Sequence, residues 1–396
     1  MWSIVDSWPA LTLRDLCAKG RCDIKTGPFG TMLKAAEYVS EGVPLISTGE
    51  IGHGEFRISS STPRVGEATL ERLPQFRLRE GDVVFARKGG VERNCYVSST
   101  EDGWFLGSDA LRIRVGEDVC GRFLAYHVAS PFIRRWLVQQ AGGSTMASLN
   151  QEILERIPVS LPPSDEQRRI ADVLGAFDDL IRTDRRLAEQ LDALRRTWVS
   201  GALAASSVTT SLNEVASFVN GRNFTNGADG TGRPVIRTPE VRSGPGGNTV
   251  WSSVAVADDG RIARVGDILF VWSGSLMVNR WIYTDGLVNQ HVFKVIPNQV
   301  PDWYVFALIE AQLPWFVSLA KDKATTMGHI QRANLDVPMT GLNPDTIARL
   351  GPAIEPIWSA ALELRLEAQE LARQRDELLP LLMSGRVRVS EVEGVA

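Results

Sequence analysis

The sequence predicts an α+β protein in which two mixed α/β domains are joined by two long helices that form an antiparallel coiled coil. Three observations lead to this prediction. Two stretches carry a long helical pattern of apolar residues, the segments before them repeat each other, and those segments consist of short β-branched and aromatic runs separated by Gly and Pro. The chain therefore has a pseudo-twofold internal repeat.

The first long helix is predicted over residues 165–200, a length of about 54 Å at 1.5 Å per residue. Pro162 and Pro163 end the preceding segment, and Ser164 or Asp165 can cap the first turn. Its apolar residues recur in steps of four and three, the spacing of a helix that packs against another helix. The predicted seam consists of Ile170, Leu174, Phe177, Ile181, Leu191 and Trp198.

The partner helix is predicted near the other end of the chain, between Pro344 and Gly385, where the same spacing returns. An antiparallel pair within one chain is the simplest arrangement, although pairing between chains is also compatible with the sequence. Asp184 and Arg375 fall at seam positions, where they either snorkel outward from a frayed seam or fix the register of the pair. The second predicted seam consists of Ile347, Leu350, Ile354, Ile357, Leu364, Leu371, Leu378 and Leu382.

The internal repeat has an offset of 185 residues at its clearest point, where GDVVFARKGG (residues 81–90) matches GDILFVWSGS (residues 266–275). The other matching segments are 13–16 with 212–215, 43–51 with 233–241, and 142–149 with 323–330. We therefore predict four parts: a domain over 1–163, a central helix over 164–205, a second domain over 206–345, and a C-terminal helix and tail over 346–396. Each domain is predicted to hold a twisted, largely antiparallel sheet and a helical segment, residues 122–140 or 303–320.

Composition indicates a folded protein with no strong electrostatic bias. The chain has 396 residues, 44% apolar residues and a net charge of −4, so nucleic-acid binding would depend on local clusters of charge. No apolar stretch is expected to span a membrane and the N-terminal residues lack the pattern of a signal peptide, so a cytoplasmic location is expected. Cys17, Cys22, Cys95 and Cys120 are few and irregularly spaced, which favours free buried thiols over a zinc site.

Catalytic and cofactor motifs are not evident. The sequence has no Walker A loop, no G-x-G-x-x-G between a strand and a helix, and no catalytic tetrapeptide of the N/D-P-P-Y type. The four histidines are isolated in the sequence, and a lone His is more often structural than a ligand or a base. We therefore expect no cofactor, no metal site and no catalysis by this chain alone.

The PLPP-like lead-in followed by EQRRIADVLGAFDDLI, with a second long helix near the C-terminus, resembles the specificity subunits of type I restriction–modification systems. Segments 81–90 and 266–274 are similar to the strand–loop motif of the target-recognition domains in that family. The second helix departs from the pattern because it lacks the Glu-Gln-Arg-Arg opening. The contacts made by that opening are therefore expected at the first helix only.

The resemblance implies that two target-recognition domains each read one half of a split double-stranded DNA site, while the helix pair sets their separation. It further implies that the helices dock two methyltransferase subunits and that restriction (translocase) subunits join the full complex. A pseudo-twofold chain suits this function because it presents two similar but non-identical reading surfaces.

Candidate DNA-contacting residues are polar or basic side chains in the matching loops, since base edges in the major groove are read by such groups. Each one alone could equally be a solvated surface residue, but the corresponding placement in both copies favours a function. In the first domain the candidates are Arg57, Arg64, Arg87, Lys88, Asn94, Ser144 and Thr145; in the second they are Arg237, Arg242, Trp272, Ser273, Ser275, Asn279, Arg280, Lys321, Lys323 and Thr325. The arginines of the first helix, Arg195 and Arg196 among them, are instead predicted to be solvated or to face a partner.

Three other hypotheses remain open at this stage. The chain could be a coiled-coil scaffold that never touches DNA, a self-contained modification enzyme, or a specificity-like recognition subunit of another defence system. A strong salt dependence of DNA binding would exclude the scaffold, and methyl transfer by the purified chain alone would identify the enzyme.

Overall fold

The computed structural model of the protein describes residues 8–142, 147–256, 260–322 and 328–389. The chain divides into two units: unit 1 comprises residues 1–179 and 371–396, and unit 2 comprises residues 180–370. This division falls inside both long helices, so each unit holds one set of strands together with a part of each helix.

Unit 1 contains ten strands and five shorter helices along its described residues. In chain order they are β1 (Ala10–Thr12), α1 (Leu13–Ala18), β2 (Cys22–Thr26), β3 (Tyr38–Val39), β4 (Val43–Ile46), β5 (Arg64–Val65), α2 (Glu67–Arg72), β6 (Val83–Ala86), β7 (Asn94–Tyr96), β8 (Phe105–Leu106), β9 (Ala110–Val115), α3 (Gly121–Ala129), α4 (Pro131–Gln140), α5 (Gln151–Glu155) and β10 (Pro158–Ser160). The long helix α6 (Ser164–Ala204) follows.

Unit 2 repeats this order with fewer short helices. Its elements are β11 (Val208–Thr210), α7 (Leu212–Val215), β12 (Ala216–Asn220), β13 (Arg233–Ile236), α8 (Thr238–Ser243), β14 (Trp251–Ser252), β15 (Ile262–Ala263), β16 (Ile268–Val271), β17 (Met277–Arg280), β18 (Gly286–Val288), β19 (Val292–Pro297), α9 (Asp302–Asp322) and β20 (Met339–Gly341), followed by the long helix α10 (Pro344–Met383).

The first sheet corresponds strand by strand between the two units. Unit 1 has an antiparallel sheet in the order β2-β9-β6-β7 and unit 2 has one in the order β12-β19-β16-β17. Each unit also has a second four-stranded sheet, β3-β5-β4-β8 or β14-β13-β18-β15, which contains one parallel pair. The second sheet shares three strands, β5-β4-β8 and β14-β13-β18, and differs in its fourth strand, which is β3 beside β5 in unit 1 and β15 beside β18 in unit 2. The predicted antiparallel sheets are therefore confirmed, and the second, mixed sheet of each unit is an addition that the sequence did not predict.

The repeated motif forms a central strand that separates two cores. Alternate residues of a strand point to opposite faces, so Val83 and Phe85 of β6 enter one apolar cluster while Val84 and Ala86 enter another. In β16 the residues divide between two clusters in the same alternating manner. The unbroken apolar run of this motif therefore reflects burial on both faces of the sheet.

The repeated tetrapeptides at 13–16 and 212–215 form short helices with capping boxes. Thr12 caps α1 by accepting the N–H of Asp15, while the Asp15 carboxylate accepts the N–H of Thr12 at 2.7 Å. Ser211 and Glu214 form the same arrangement at α7. The acidic residue at the third helical position therefore recurs because both copies start this helix with the same reciprocal bonds.

The long helices pair within each unit. In unit 1, Ile170 and Leu174 of α6 share a core with Leu379 and Leu382 of α10. Their position along the chain shows the direction, since segments near the start of α6 meet segments near the end of α10. The antiparallel pair predicted from the four–three spacing is confirmed.

Unit 2 contains the complementary halves of the same two helices. Asp192 of α6 lies 2.5 Å from the guanidinium of Arg365, and Val199 shares a core with Ile354. A later residue of α6 thus meets an earlier residue of α10, which is again the antiparallel order.

Five of the fourteen predicted seam residues are buried, and Trp198 departs most clearly from the prediction. Trp198 is 41% exposed, and Val199, at 1% exposed, takes the buried position. The buried stripe steps by four from Arg195 to Val199, because an α-helix has 3.6 residues per turn and a strict alternation of three and four drifts around it. Ile170, Leu174, Ile181, Ile354 and Leu382 are buried, whereas Phe177, Leu191, Ile347, Leu350, Ile357, Leu364, Leu371 and Leu378 are half-buried flanking residues.

Arg375, one of the two polar seam residues, binds across the helix pair inside unit 1. Its Nη1 lies 2.5 Å from the Asp178 carboxylate, which also accepts a hydrogen bond of 2.5 Å from the hydroxyl of Tyr126 on α3. This three-residue cluster favours the register-fixing interpretation for Arg375. Asp184, the other polar seam residue, is 8% exposed.

Arg195 occupies a buried position in unit 2, which corrects the prediction that it is solvated. It is 0% exposed, its Nη2 lies 2.6 Å from the Glu310 carboxylate of α9, and its guanidinium lies 5.1 and 5.3 Å from the ring centroids of Phe306 and Trp358. Arg196, one residue further, is about half exposed and lies 3.6 Å from the same carboxylate. A basic residue on the seam is thus retained because a carboxylate and two aromatic faces surround it.

Gln167 of the Glu-Gln-Arg-Arg opening of α6 makes its hydrogen bonds inside unit 1. Gln167 is 1% exposed, accepts the backbone N–H of Cys120 at 2.9 Å, and donates to the carbonyl of Pro162 at 2.8 Å. The matching position of α10 is Ile347, which packs against the core of unit 2. At this position the second helix therefore makes an apolar contact where the first helix makes the two hydrogen bonds of Gln167.

The cysteine prediction is wrong for one pair. Cys17 and Cys22 form a disulfide, since α1 ends at Ala18 and a turn through Gly20 (φ 70°) leads directly into β2, which brings the two side chains together. Cys120 is free and half-buried. Cys95 is free and buried, and burial raises the pKa of its thiol to about 12.

Helix α9 corrects the expectation that no apolar stretch is long enough to span a membrane. Its segment Asp302–Lys321 has the required length and a mean hydropathy of 1.3, and half of it is buried inside the structure. Trp303, Tyr304 and Phe316 belong to the core of unit 2 and are at most 1% exposed. The helix is apolar on several faces because strands and long helices contribute to the same core around it.

Candidate nucleic-acid interface

Three segments of unit 1 meet where β6 ends and β9 begins. Arg87, which follows β6, donates its backbone N–H to the carbonyl of Asp109 at 3.0 Å and accepts the N–H of Leu149 at 2.8 Å. Lys88 forms an isolated antiparallel bridge with Ser148. Together with the turn after β2, these segments form the unit 1 junction, which we define as residues 26–29, 87–88, 108–109 and 148–149.

Unit 2 has the same arrangement at the corresponding positions. Trp272 donates its backbone N–H to the carbonyl of His291 at 3.2 Å and accepts the N–H of Ile330 at 3.1 Å, while Ser273 bridges to His329. We define the unit 2 junction as residues 220–223, 272–273, 290–291 and 329–330. The two junctions thus share one backbone framework, although their sequences differ at almost every position.

A glycine in each junction allows one segment to pass another at close range. A Cβ atom at Gly27 would lie 1.8 Å from the carbonyl oxygen of Gly107, and one at Gly221 would lie 2.2 Å from the carbonyl oxygens of Val288 and Asn289. These contacts are too short for any side chain, so the crossing of the chain requires glycine in both copies.

The close approach at Gly27 predicts that Gly27→Ala disrupts the unit 1 junction. The added methyl group must push two backbone segments apart, which we expect to lower the free energy of unfolding by about 1–3 kcal/mol. Thermal unfolding followed by circular dichroism measures the effect. Gly49→Ala in the same unit is the matched control, because a Cβ there meets no atom within 4 Å. Equal unfolding temperatures for the two variants would contradict the prediction.

The side chains of the unit 1 junction are charged and partly exposed. The guanidinium of Arg87 lies 4.9 Å from the ring centroid of Phe29, a residue that is 51% exposed. Lys88 Nζ lies 3.3 Å from Asp109 Oδ1, and these side chains are 48% and 42% exposed. An open cavity of about 480 Å³ adjoins the junction and is lined by Thr26, Phe29, Arg87, Asn150, Gln151, Glu152 and Glu155.

The side chains around Trp272 in the unit 2 junction are mostly aromatic, and Arg222 adds one positive charge to the junction. The indole N–H of Trp272 donates to Asn220 Oδ1 at 3.1 Å. The Trp272 ring stacks on Phe293 with centroids 5.6 Å apart, and the exposed rings of His291 and His329 lie 5.7 and 6.3 Å from it. The same backbone framework therefore presents different chemistry in the two units.

The predicted contact residues fall into three groups in the structure. Those with exposed side chains are Arg57, Lys88, Arg242, Ser275, Asn279 and Lys321. Those half-buried are Arg64, Arg87, Arg237, Trp272 and Arg280, and those buried are Asn94 and Ser273. Ser144, Thr145, Lys323 and Thr325 lie outside the described residues.

Three of these predictions need correction. Asn94 is 2% exposed because it lies within β7, and Ser273 is 8% exposed because it pairs with His329. Arg280 stacks on Trp358 of α10 at 3.8 Å and donates to its carbonyl at 2.6 Å; burial lowers the pKa of the Arg280 guanidinium to about 10. Asn94 and Ser273 are thus buried, and the guanidinium of Arg280 already binds Trp358, so these side chains do not offer free polar groups at the surface of their units.

Two of the candidate arginines make hydrogen bonds inside their own units. Arg64 donates to the carbonyl of Gly42 at 2.8 Å. Arg237 donates to the carbonyl of Asn248 at 2.9 Å and to the Glu240 carboxylate at 2.8 Å, and the hydrogen bonds to Glu240 raise the pKa of its guanidinium. Their guanidinium groups are thus partly satisfied before any ligand binds.

Sequence reasoning missed the junction residues that come from the other segments, namely Phe29, Asp109, Asn220, His291 and His329. The available signal was their position, since Asp109 and His291 each stand just before the strand that pairs with the repeated motif. Among the described residues, no cluster of three or more His, Cys, Asp or Glu side chains could hold a metal ion.

An apolar stripe on α6 faces away from the buried seam in unit 2. Leu180, Leu187 and Leu194 are seven residues apart and are 52%, 43% and 39% exposed, and Trp198 continues the stripe one turn further. Residues seven apart lie on the same face of a helix, so these side chains form one continuous ridge.

Comparison with known proteins adds to this geometry. A family model described as "Type I restriction modification DNA specificity domain" matches residues 6–193. The MjaVIII type I restriction enzyme specificity subunit of Methanocaldococcus jannaschii is 23% identical over 215 residues, which are 53% of this chain and 48% of that protein. The MjaIX specificity subunit of the same organism is 23% identical over 162 residues, 41% of this chain and 37% of that protein. The chain thus aligns with less than half the length of each of these curated relatives.

The fold is similar over nearly the whole chain to a solved structure, the S subunit of a type I restriction–modification system from M. genitalium. The TM-score is 0.57, the sequence identity is 14%, and the alignment covers 95% of this chain and 96% of that one. At this level of identity the comparison establishes a shared fold.

Proposed function

Because the chain belongs, through residues 6–193, to the family of type I restriction modification DNA specificity domains, we propose that it is a sequence-specific DNA-binding specificity subunit. In this proposal it reads an asymmetric bipartite site on double-stranded DNA and directs methyltransferase and restriction subunits to it. The observation that carries the proposal is the pair of junctions with one backbone framework and different side chains. Such a pair suits a protein that reads two different half-sites with two related surfaces.

The proposal assigns residues 1–163 and 206–345 as target-recognition domains, and residues 164–205 and 346–396 as the helices between and after them. Each domain would contact DNA through its junction and the exposed candidates around it, such as Arg57 and Lys88 in the first and Arg242 and Ser275 in the second. A net charge of −4 implies that these contacts are local, so the binding energy depends on a few residues.

The helix pair is proposed to dock two methyltransferase subunits. The exposed ridge of Leu180, Leu187 and Leu194 supports this assignment, since a partner helix can bury apolar side chains spaced by seven residues. The chain would supply recognition without catalysis, the methyltransferase subunits would modify the DNA, and the restriction subunits would join the larger complex. This function places the protein in the cytoplasm and away from membranes.

The test is a pull-down of the full chain from its host combined with methylome sequencing of cells with and without its gene. We expect an adenine methyltransferase to co-purify and one split, asymmetric methylation motif to disappear when the gene is deleted. Restoration of the gene is the matched control and must restore the same motif. An unchanged methylome without a methyltransferase partner would contradict the proposal and would leave a coiled-coil scaffold as the explanation of the repeat.

A further inference from the structure

The pair formed by Lys88 and Asp109 has the arrangement of a base-reading element. The two residues come from different segments of the unit 1 junction, and the ammonium nitrogen lies 3.3 Å from a carboxylate oxygen. The backbone carbonyl of Asp109 accepts hydrogen bonds from the N–H of Arg87 at 3.0 Å and from the hydroxyl of Thr48 at 2.8 Å. The carboxylate is therefore mounted on a rigid support, while both side chains keep nearly half of their surface exposed.

We propose that Lys88 and Asp109 read one G·C base pair in the half-site bound by unit 1, an inference that rests on the proposed function. In the major groove guanine presents the acceptors N7 and O6, and cytosine presents the donor N4 next to O6. The O6 and N4 atoms are joined by a Watson–Crick hydrogen bond and are about 2.9 Å apart. A donor and an acceptor 3.3 Å apart on the protein match this spacing, with the Lys88 ammonium at O6 and the Asp109 carboxylate at N4.

The alternative base pair with a similar pattern is T·A, in which Lys88 would meet thymine O4 and Asp109 would meet adenine N6. Two features of the edges disfavour it. The lone pair of adenine N7 lies beside N6 and repels a carboxylate, whereas cytosine has only a C–H group beside N4. The thymine methyl group lies beside O4 and displaces water from an ammonium group, whereas guanine offers a second acceptor.

The matching positions of unit 2 carry different chemistry. Ser273 stands where unit 1 has Lys88, and His291 stands where unit 1 has Asp109. Unit 2 therefore lacks the ion pair at this point of its framework, and the inferred G·C contact belongs to one half-site only. This difference makes the inference specific to unit 1 and provides an internal comparison.

The experiment uses the purified complex of this chain and its methyltransferase and measures its affinity for DNA duplexes. In these duplexes each position of the recognised site is varied through all four base pairs. The variants are Lys88→Gln and Asp109→Asn, which keep the side-chain size. In each variant we expect the preference for G·C over the other base pairs to fall about tenfold at one position of one half-site. The preferences at all other positions should stay unchanged. Arg72→Ala, which removes an ion pair with Glu37 elsewhere in unit 1, is the control and must leave every preference unchanged.

Several outcomes overturn the inference. Full discrimination at every position in both variants shows that the ion pair does not touch bases. Weaker binding to all duplexes with unchanged preferences shows a phosphate or structural role, and relaxation at an A·T position shows that the wrong base pair was assigned. Failure of the proposed function is recognised separately, because it leaves the wild-type complex without any preferred sequence.

Discussion

Replacing Arg195 with alanine is expected to lower the free energy of unfolding of unit 2 by about 3–5 kcal/mol, the usual cost of breaking a buried ion pair. The guanidinium is fully buried, lies 2.6 Å from the Glu310 carboxylate and packs over the rings of Phe306 and Trp358. The substitution removes these interactions together and leaves a cavity between α6, α9 and α10. Glu310 would keep its charge, with the guanidinium of Arg196 as a neighbour at 3.6 Å.

Chemical denaturation of the full chain, followed by the fluorescence of its tryptophans, measures this effect because Trp358 adjoins the site. Arg196→Ala is the matched control: the neighbouring arginine is about half exposed and lies 3.6 Å from the same carboxylate, so its loss should cost less than about 1 kcal/mol. If both variants unfold at the same denaturant concentration, Arg195 is not the anchor of α6 in unit 2.

Replacing Asp82 with alanine is expected to destabilise unit 1 by a similar amount, about 3–5 kcal/mol. Asp82 belongs to the repeated Gly-Asp motif, and its side chain has no exposed surface. Its carboxylate accepts two hydrogen bonds of 2.7 Å from Arg114, accepts the N–H of Arg79 at 2.8 Å, and lies 3.6 Å from the buried Arg112. Without it, the charge of Arg112 remains buried with Asp23 as its carboxylate neighbour.

The repeat supplies the comparison for this prediction. Asp267 has the same place in unit 2, where it lies 2.7 Å from Lys294 and accepts the N–H of Arg264 at 2.6 Å, but 25% of its side chain is exposed. Because water reaches this carboxylate, we expect Asp267→Ala to cost only about 1–3 kcal/mol. Hydrogen exchange of the full chain, with each unit followed by its own peptides, distinguishes the two losses. A larger loss for Asp267 than for Asp82 would contradict the prediction.

The pattern of apolar residues and the internal repeat in the sequence were sufficient to predict much of the architecture. The four–three spacing of apolar residues predicts both long helices, because residues at this spacing share one helix face whatever the rest of the chain does. The matches at 81–90 and 266–275 predict the repeat, since an unbroken apolar run between turns is typical of a strand buried on both faces. The same matches placed Arg87, Lys88 and Trp272 in corresponding loops, which the structure shows to be parts of the two junctions.

The other parts of the candidate site depend on contacts between distant segments. Asp109 and His291 meet the repeated loops through backbone hydrogen bonds, and no sequence similarity connects residues 108–109 with 290–291. The close crossings at Gly27 and Gly221 likewise depend on a second segment that is distant in sequence, near Gly107 or Asn289. Sequence reasoning about single loops could list exposed polar residues, but it had no means of knowing which of them face the same point.

By itself, the sequence determined the two long helices and the internal repeat, because periodicity and repetition are properties of the chain alone. It made an antiparallel pair within one chain the simplest arrangement and left pairing between chains open. The tertiary structure alone decided that Arg195 is buried, that Trp198 is exposed, that Cys17 pairs with Cys22, and that Lys88 meets Asp109. The physical reason is that burial and ion pairing depend on which distant atoms arrive beside a side chain. In the sequence, a charged residue on a buried seam cannot be distinguished from one on a solvated face until the surface that packs against it is known.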